Sequence, residues 1–334
     1  MEYGQREDHR SHPPSGASAC AFRLRCADDD ADIVTLYALQ EPDSAPMTVA
    51  RYRMEQAEQI ADRQGEQWVA VDAGRVVGLG SFASAWWTGQ RGSYTIHISV
   101  DQRRWRQGIG GELFRLLRAR LSALEATLLL DWVRADAAQG RHFAAAQGFR
   151  ETGAILEEYR LHVPEAITDP YAGLEGRLEG AGLRVASLAE LGADDEPLLR
   201  GLQRLWAGVG DAPPDSARLA ASFPSWQREV LDAAGASPET HWVALDGGCP
   251  VGMSFLKRLS EDAAENDYTC VAPAHRGRGI AVALKLRALA WARQQGVHWF
   301  YTSSEAGNAP MIAINERLGY LASARRVAVA RDLS

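Results

Sequence analysis

The chain has 334 residues, of which 46% are apolar and 24% charged, and its formal net charge is -7. That length exceeds the roughly 250 to 300 residues at which one hydrophobic core stops growing, so two domains are expected. The negative charge argues against sequence-independent nucleic-acid binding, which needs a cationic surface, and no apolar run approaches the roughly 20 residues of a membrane span.

The chain opens with "MEYGQREDHRSHPPSGASA", which lacks the apolar stretch of a signal peptide; residues 1–20 are expected to form a disordered tail. Cys20, Cys26, Cys249 and Cys270 form no CxxC pair and have no histidine at metal-ligand spacing. Neither a metal site nor a disulfide framework is therefore expected, and a reducing cytoplasm fits this cysteine usage. Further on, "WVAVDAGRVVG" at 68–78 reads as a hairpin, and its near copy "WVALDGGCPVG" lies at 242–252, 174 positions later. Three more landmarks repeat at an offset of 171: Val100 with Val271, Gly108 with Gly279, and Phe149 with Tyr320. One fold of about 150 residues is used twice. Adjacent Trp86 and Trp87 on a strand would point to opposite faces, one into the core and one as an aromatic wall.

Residues 21–165 form the first expected domain, 166–180 the linker, and 181–334 the second domain. The connector itself is rich in Pro, Gly and acidic residues, "VPEAITDPYAGLEGRLEGAG". In the second half "LRVASL" reads as a strand and "PLLRGLQRLWAGV" as a helix. "HWVALDGGCPVGMSFLKRL" reads as a hairpin turned by Asp-Gly-Gly. Then follow the strand "NDYTCV", the helix "GIAVALKLRALAWARQQG" ended by Gly296, the strand "VHWFYTSS", the helix "NAPMIAINERLG" stopped by Gly319, and the strand "RRVAVARDL". Helices interleave with a mixed sheet, an α/β fold of the α+β mixed-sheet kind, and the first half repeats the order with weaker signals.

Between the strand and the long helix lies "VAPAHRGRGIAVALK", residues 271–285. A Gly-rich turn at a helix start offers unpaired backbone N–H groups and a partial positive charge, which together suit an anion such as phosphate. The spacing is neither GxxxxGK[ST] nor GxGxxG, so nucleoside triphosphate and dinucleotide sites are disfavoured.

The pattern R-x-x-G-x-A over Arg276, Gly277, Arg278, Gly279, Ile280 and Ala281 resembles the pyrophosphate motif of the GNAT superfamily of acyl-CoA-dependent N-acyltransferases. "NAPMIAINERLGY" is similar to that superfamily's later helix, with Asn308 at a cofactor-contacting position and Leu318-Gly319-Tyr320 matching its Leu-Gly-aromatic end. The duplication is similar to the tandem arrangement of mycothiol synthase-like acetyltransferases. The resemblance implies two GNAT-type domains and acetyl-CoA as co-substrate, with a small-molecule amine as acceptor and no metal. It also implies that Thr269, Cys270 and Val271 bind the pantetheine arm and thioester through their backbone, on a strand splayed from its neighbour. Asn315 stands among the cofactor-site positions where many members carry a tyrosine acid, and the first half has Ala144 there.

An amine with a free pKa near 10.4 must lose a proton before attack, and the acidic run before the splayed strand offers Asp267 and Glu265 as base candidates. Cys270, beside the expected thioester, is either a covalent nucleophile or a small hydrophobe. In the first half Trp105, Gln107 and Ala137 replace Arg276, Arg278 and Asn308, so that half is expected to bind acyl-CoA weakly or not at all. The expected activity is direct acetyl transfer in the second half, the alternative being a non-catalytic acyl-CoA-binding or regulatory module.

Overall fold

The computed structural model describes residues 20–60, 65–85, 88, 90–208, 222–233 and 235–333. Trp86, Trp87 and residues 1–19 of the expected tail lie outside the described residues. The first half contains β1 (Ala21–Leu24), α1 (Asp30–Gln40), α2 (Val49–Ile60), β2 (Glu66–Asp72), β3 (Arg75–Ser84), β4 (Ser93–Val100), α3 (Ile109–Ala123), β5 (Leu128–Arg134), α4 (Ala138–Ala146) and β6 (Arg150–His162). The second contains α5 (Leu174–Gly180), β7 (Leu183–Ser187), α6 (Glu196–Gly208), β8 (His241–Asp246), β9 (Cys249–Arg258), β10 (Ala263–Val271), α7 (Ile280–Gln294), β11 (Trp299–Glu305), α8 (Ala309–Arg317) and β12 (Leu321–Asp332). Short one-turn helices join some of these elements.

Local chemistry explains the repeated hairpin. Gly247 and Gly248 both take positive φ, 55° and 87°, which is the backbone a two-residue type I′ turn requires between twisted strands. The first half builds the same turn with Ala73 and Gly74, at φ 47° and 78°, so one position carries a side chain in a left-handed conformation.

The twelve strands of the described residues form one sheet in the order β1-β2-β3-β4-β5-β12-β6-β11-β10-β9-β8-β7. The middle of that order departs from two self-contained repeats. β12, the last strand of the second half, pairs antiparallel with β5 of the first (Arg326↔Arg134, Asp332↔Leu128) and with β6. β6 in turn pairs with β11 of the second half, Trp299↔His162 through Glu305↔Leu156. Each half thus contributes its closing strand to the neighbour of the other, and no open sheet edge is left at the junction.

Helices cover both faces. In the first half Phe114, Leu117 and Leu121 of α3, with Ala144 of α4, bury against Phe82, Ile96, Leu129 and Val329. On the opposite face Ile33 and Leu36 of α1 and Tyr52 of α2 bury against Val69, Val76 and Leu79. The second half repeats this with Ile280, Leu284, Ala288 and Leu289 of α7 on one face and Leu199, Leu202, Leu205 and Trp206 of α6 on the other. The connector is ordered and packed. Val163 N–H donates to the His298 carbonyl (2.7 Å) and Ile167 N–H to that of Leu318 (3.0 Å). Further along, Glu175 of α5 ion-pairs with Arg287 of α7. Among the described residues, no helix is long and apolar enough to cross a membrane.

Candidate functional site

In both halves a parallel strand pair opens part way along. β4 pairs with β5 only over Ser93–Thr95, and β10 with β11 only over Ala263–Asn266. Beyond those points the facing strand edges have no ladder partner, which leaves a slot whose walls are backbone. Each slot points toward a helix start preceded by a left-handed glycine: Gly108 (φ 83°) before α3 and Gly279 (φ 86°) before α7. An L side chain at φ near 80° is strained, so glycine is required for the chain to turn there and present its amides.

The two slots differ in what fills them. In the first half a cleft of about 940 Å³ runs from the Gly108–Gly111 turn past Phe114 and Phe143 to Gln40, Glu41, His97 and Trp132. Gly108 is exposed, and a Cβ built on it would meet nothing within 4 Å. In the second half a Cβ on Gly279 would lie 2.9 Å from Leu174 Cδ1, because α5 of the connector packs over that turn. Lys285, at the position of Phe114, is 2% exposed and donates to Asn266 Oδ1 at 2.5 Å. Asn266 also donates to Ser254 Oγ (2.9 Å), and Asn315, fully buried, donates to Ser304 Oγ (3.3 Å). A buried polar network therefore occupies the region that is open cleft in the first half. Burial pushes the Lys285 ammonium down to about 7.

The floor of the first-half cleft carries titratable groups. The His97 ring is stacked on Tyr37 of α1, with centroids 6.1 Å apart and planes at 9°. Its Nδ1 lies 3.9 Å from Asp131 Oδ1 across the slot, and the side chain is 37% exposed. Surrounding protein lowers the pKa of the imidazole, but Asp131 and Glu41 outweigh that effect and hold it above its ordinary value. Glu41 is itself fixed. Arg326 of β12 donates to both its oxygens, Nη1 to Oε1 at 3.1 Å and Nη2 to Oε2 at 2.7 Å, while Arg134 Nη1 stands 3.5 Å away. The exchanged strand thus brings a residue of the second half into the first half's cleft.

The residues singled out in the second half are placed as follows. Arg276, Gly277 and Arg278 are exposed in the turn, Ile280 is buried, and Ala281 lies in the first turn of α7. Asn308 caps α8, its side-chain oxygen accepting from Met311 N–H at 3.3 Å. Thr269 bonds to Ser254 Oγ (2.9 Å) and Asn266 Oδ1 (3.2 Å), whereas Cys270 and Val271 pack into the cores on opposite faces. Asp267 occupies a bulge in β10 and ion-pairs with Lys257 at 3.1 Å. Burial and the neighbouring Asp267 push the Glu265 carboxyl up to about 7, against Lys257 and Arg51. Glu265 and Asp267 are thus brought together, on the sheet face that α2 of the first half approaches. Sequence reasoning passed over His97, Asp131 and Glu41. The alternation in "SYTIHISV" could have flagged His97 as a polar residue on a splayed strand, but its acid stands 34 positions away. Among the described residues no group of three His, Cys, Asp or Glu side chains could hold a metal ion.

The sequence pattern of the acetyltransferase (GNAT) family matches residues 31–149 and 205–320. A mycothiol acetyltransferase of Clavibacter michiganensis subsp. michiganensis is 27% identical over 240 residues, 69% of this chain and 69% of that protein. A tandem GNAT protein from the clavulanic acid biosynthesis pathway superposes with a TM-score of 0.72 at 19% identity, covering 94% of this chain and 99% of that one. A GCN5-related N-acetyltransferase from Sphaerobacter thermophilus also reaches 0.72 at 17% identity, covering 94% and 96%.

Proposed function

Because the chain belongs to the acetyltransferase (GNAT) family, we propose that it moves an acetyl group from acetyl-CoA to a small-molecule amine in the cleft of the first half. The chain is an acyltransferase; its acceptor and the half that works are the proposed parts. The observation that carries the reading is the uncovered first turn of α3 at the head of a cleft of about 940 Å³, at the upper end of the volumes usual for small-molecule sites.

In this reading the amides of Gly108–Gly111 and the start of α3 receive the pyrophosphate, with Arg104 and Arg106 beside them. The free edges of β4 and β5 hold the pantetheine arm. Acetyl-CoA supplies the acetyl group as a thioester: the neutral acceptor nitrogen bonds to the carbonyl carbon, the C–S bond breaks, and the proton that nitrogen sheds on becoming an amide goes to the departing sulfur, so CoA leaves as its thiol. His97 takes the proton from the acceptor ammonium. Asp131 and Glu41 raise its basicity and so match it better to an amine. The related mycothiol acetyltransferase is what favours a small-molecule acceptor.

A calorimetric titration with CoA tests the location. A Cβ at Gly110 would already lie 3.2 Å from Phe143 Cε2, so Gly110→Leu places its side chain in the cleft and is expected to weaken CoA at least 100-fold. Unchanged affinity would overturn the reading.

A second reading keeps catalysis in the second half, with CoA at Arg276–Ala281, Asn308 and Asn315, and Asp267 or Glu265 as base. The Glu265 carboxyl, raised to about 7, favours it. Under that reading Ala281→Leu, and not Gly110→Leu, abolishes CoA binding.

A further inference from the structure

Among the described residues seven large apolar side chains are exposed: Leu24, Leu39, Met54, Trp105, Trp132, Ile167 and Leu321. Three of the seven, Leu39, Trp105 and Trp132, line the first-half cleft. Such clustering in a concavity marks a ligand wall.

Strand register says which end each serves. Thr95 pairs with Leu130, so Thr95 and His97 share a sheet face with Leu130, Trp132 and Arg134. His97 stacks on Tyr37, so that is the face covered by α1. Leu129, Val133 and Val329 face the other way, toward α3 and α4. Trp105 sits beside the glycine turn, its Nε1 fixed to the Val100 carbonyl at 2.8 Å. Trp132 therefore belongs to the α1 side, with Leu39, Pro42 and the fixed Glu41 carboxylate, across the slot from the cofactor helices.

On the premise that the first-half cleft is the working site, we propose that this face admits an amine carried on a ring. The ring lies against Trp132 while Glu41 accepts hydrogen bonds from the acceptor's polar hydrogens. A rigid ring meets a flat indole without the rotamer loss that a flexible chain incurs on the same wall. Leu39 and Pro42 close the apolar side. Glu41 is held at both oxygens by Arg326, so it keeps its place whether or not an acceptor is present, and Asp131 adds negative charge that draws an ammonium toward His97.

The test is ligand-observed NMR with CoA present, comparing benzylamine and cyclohexylmethylamine with n-hexylamine on wild type, Trp132→Phe and Trp132→Ala. Both ring amines are expected to bind wild type more tightly than the chain amine. Trp132→Ala is expected to weaken them about fivefold, within the range that ring contacts supply. Trp132→Phe should recover most of that loss, and n-hexylamine should be indifferent to either change. No binding by either ring amine, equal binding of all three, or ring binding that survives Trp132→Ala would overturn the inference. CoA affinity is measured on the same samples. Its loss in Trp132→Ala alone would assign the indole to the cofactor arm and overturn the inference, leaving the first-half site standing; CoA binding that survives Gly110→Leu would instead remove that site.

Discussion

Arg326 offers the sharpest perturbation of the exchanged strand, because it belongs to the second half by sequence and to the first by contact. It donates to both oxygens of Glu41 and bonds Glu158 as well, and the three side chains are only 16%, 20% and 19% exposed. Replacing it with alanine leaves two half-buried carboxylates that share the Ser44 hydroxyl (3.3 Å to each), with Arg134 beside Glu41 alone. Removing one partner of a fully buried pair costs about 3–5 kcal/mol. With a fifth of each carboxylate exposed and Arg134 still 3.5 Å from Glu41, about 2–3 kcal/mol is the expected loss. For a chain of this size that corresponds to a fall in melting temperature of roughly 3–4 °C. Differential scanning calorimetry of Arg326→Ala, Glu41→Gln and the double variant measures it. The double variant should lose less than the sum of the single losses, since the Glu41 charge then vanishes with its partner and only Glu158 is left without Arg326. A single variant indistinguishable from wild type, or strictly additive losses, would refute the coupling between halves.

His97→Gln should lower kcat/KM by about 10²–10⁴-fold while leaving CoA affinity unchanged, the range expected for a general base. In the wild-type enzyme the raised pKa of His97 puts the acid limb of the pH–rate profile above the ordinary histidine value of 6.5, because the base form is lost as pH falls through it. Asp131→Asn should move that limb toward lower pH. For Lys285 the sign is opposite. Its folded pKa of about 7 lies below the unfolded value of 10.5, so the unfolded chain binds more protons between those limits and stability from this group rises with pH. Lys285→Met should therefore raise stability in urea melts at pH 7.5 and flatten the slope toward pH 10; an unaltered slope would contradict the burial argument. Asn308→Ala removes the cap of α8 and should cost about 1 kcal/mol in the same melts, with no change in CoA binding.

Much of the fold was legible because its cues are local. The Asp246-Gly247-Gly248 turn, the glycine before α7 and Gly319 after α8 each dictate a backbone bend from their own chemistry. The duplication gave the tandem architecture before any contact was known. The strand exchange was not legible: "RRVAVARDL" alternates in the same way whether it pairs with its own half or the other, and register alone distinguishes them. The connector read as a linker because Pro, Gly and acid mark turns, yet Leu174 finds a partner in Gly279 that lies 105 positions away. The site was legible as a motif and not as a space. R-x-x-G-x-A describes a turn able to hold a phosphate, but whether that turn is covered depends on Leu174 and α5. What fills its slot depends on Lys285 standing where the first half has Phe114, and on Asn315 where it has Ala144. His97 and Asp131 meet only because the parallel β4 and β5 part beyond Thr95.

Backbone hydrogen exchange, measured with and without saturating acetyl-CoA, tests most directly which turn holds the cofactor. Slowed exchange at the amides of residues 108–112, with residues 279–283 unchanged, is the predicted result. Protection confined to 279–283 would contradict it.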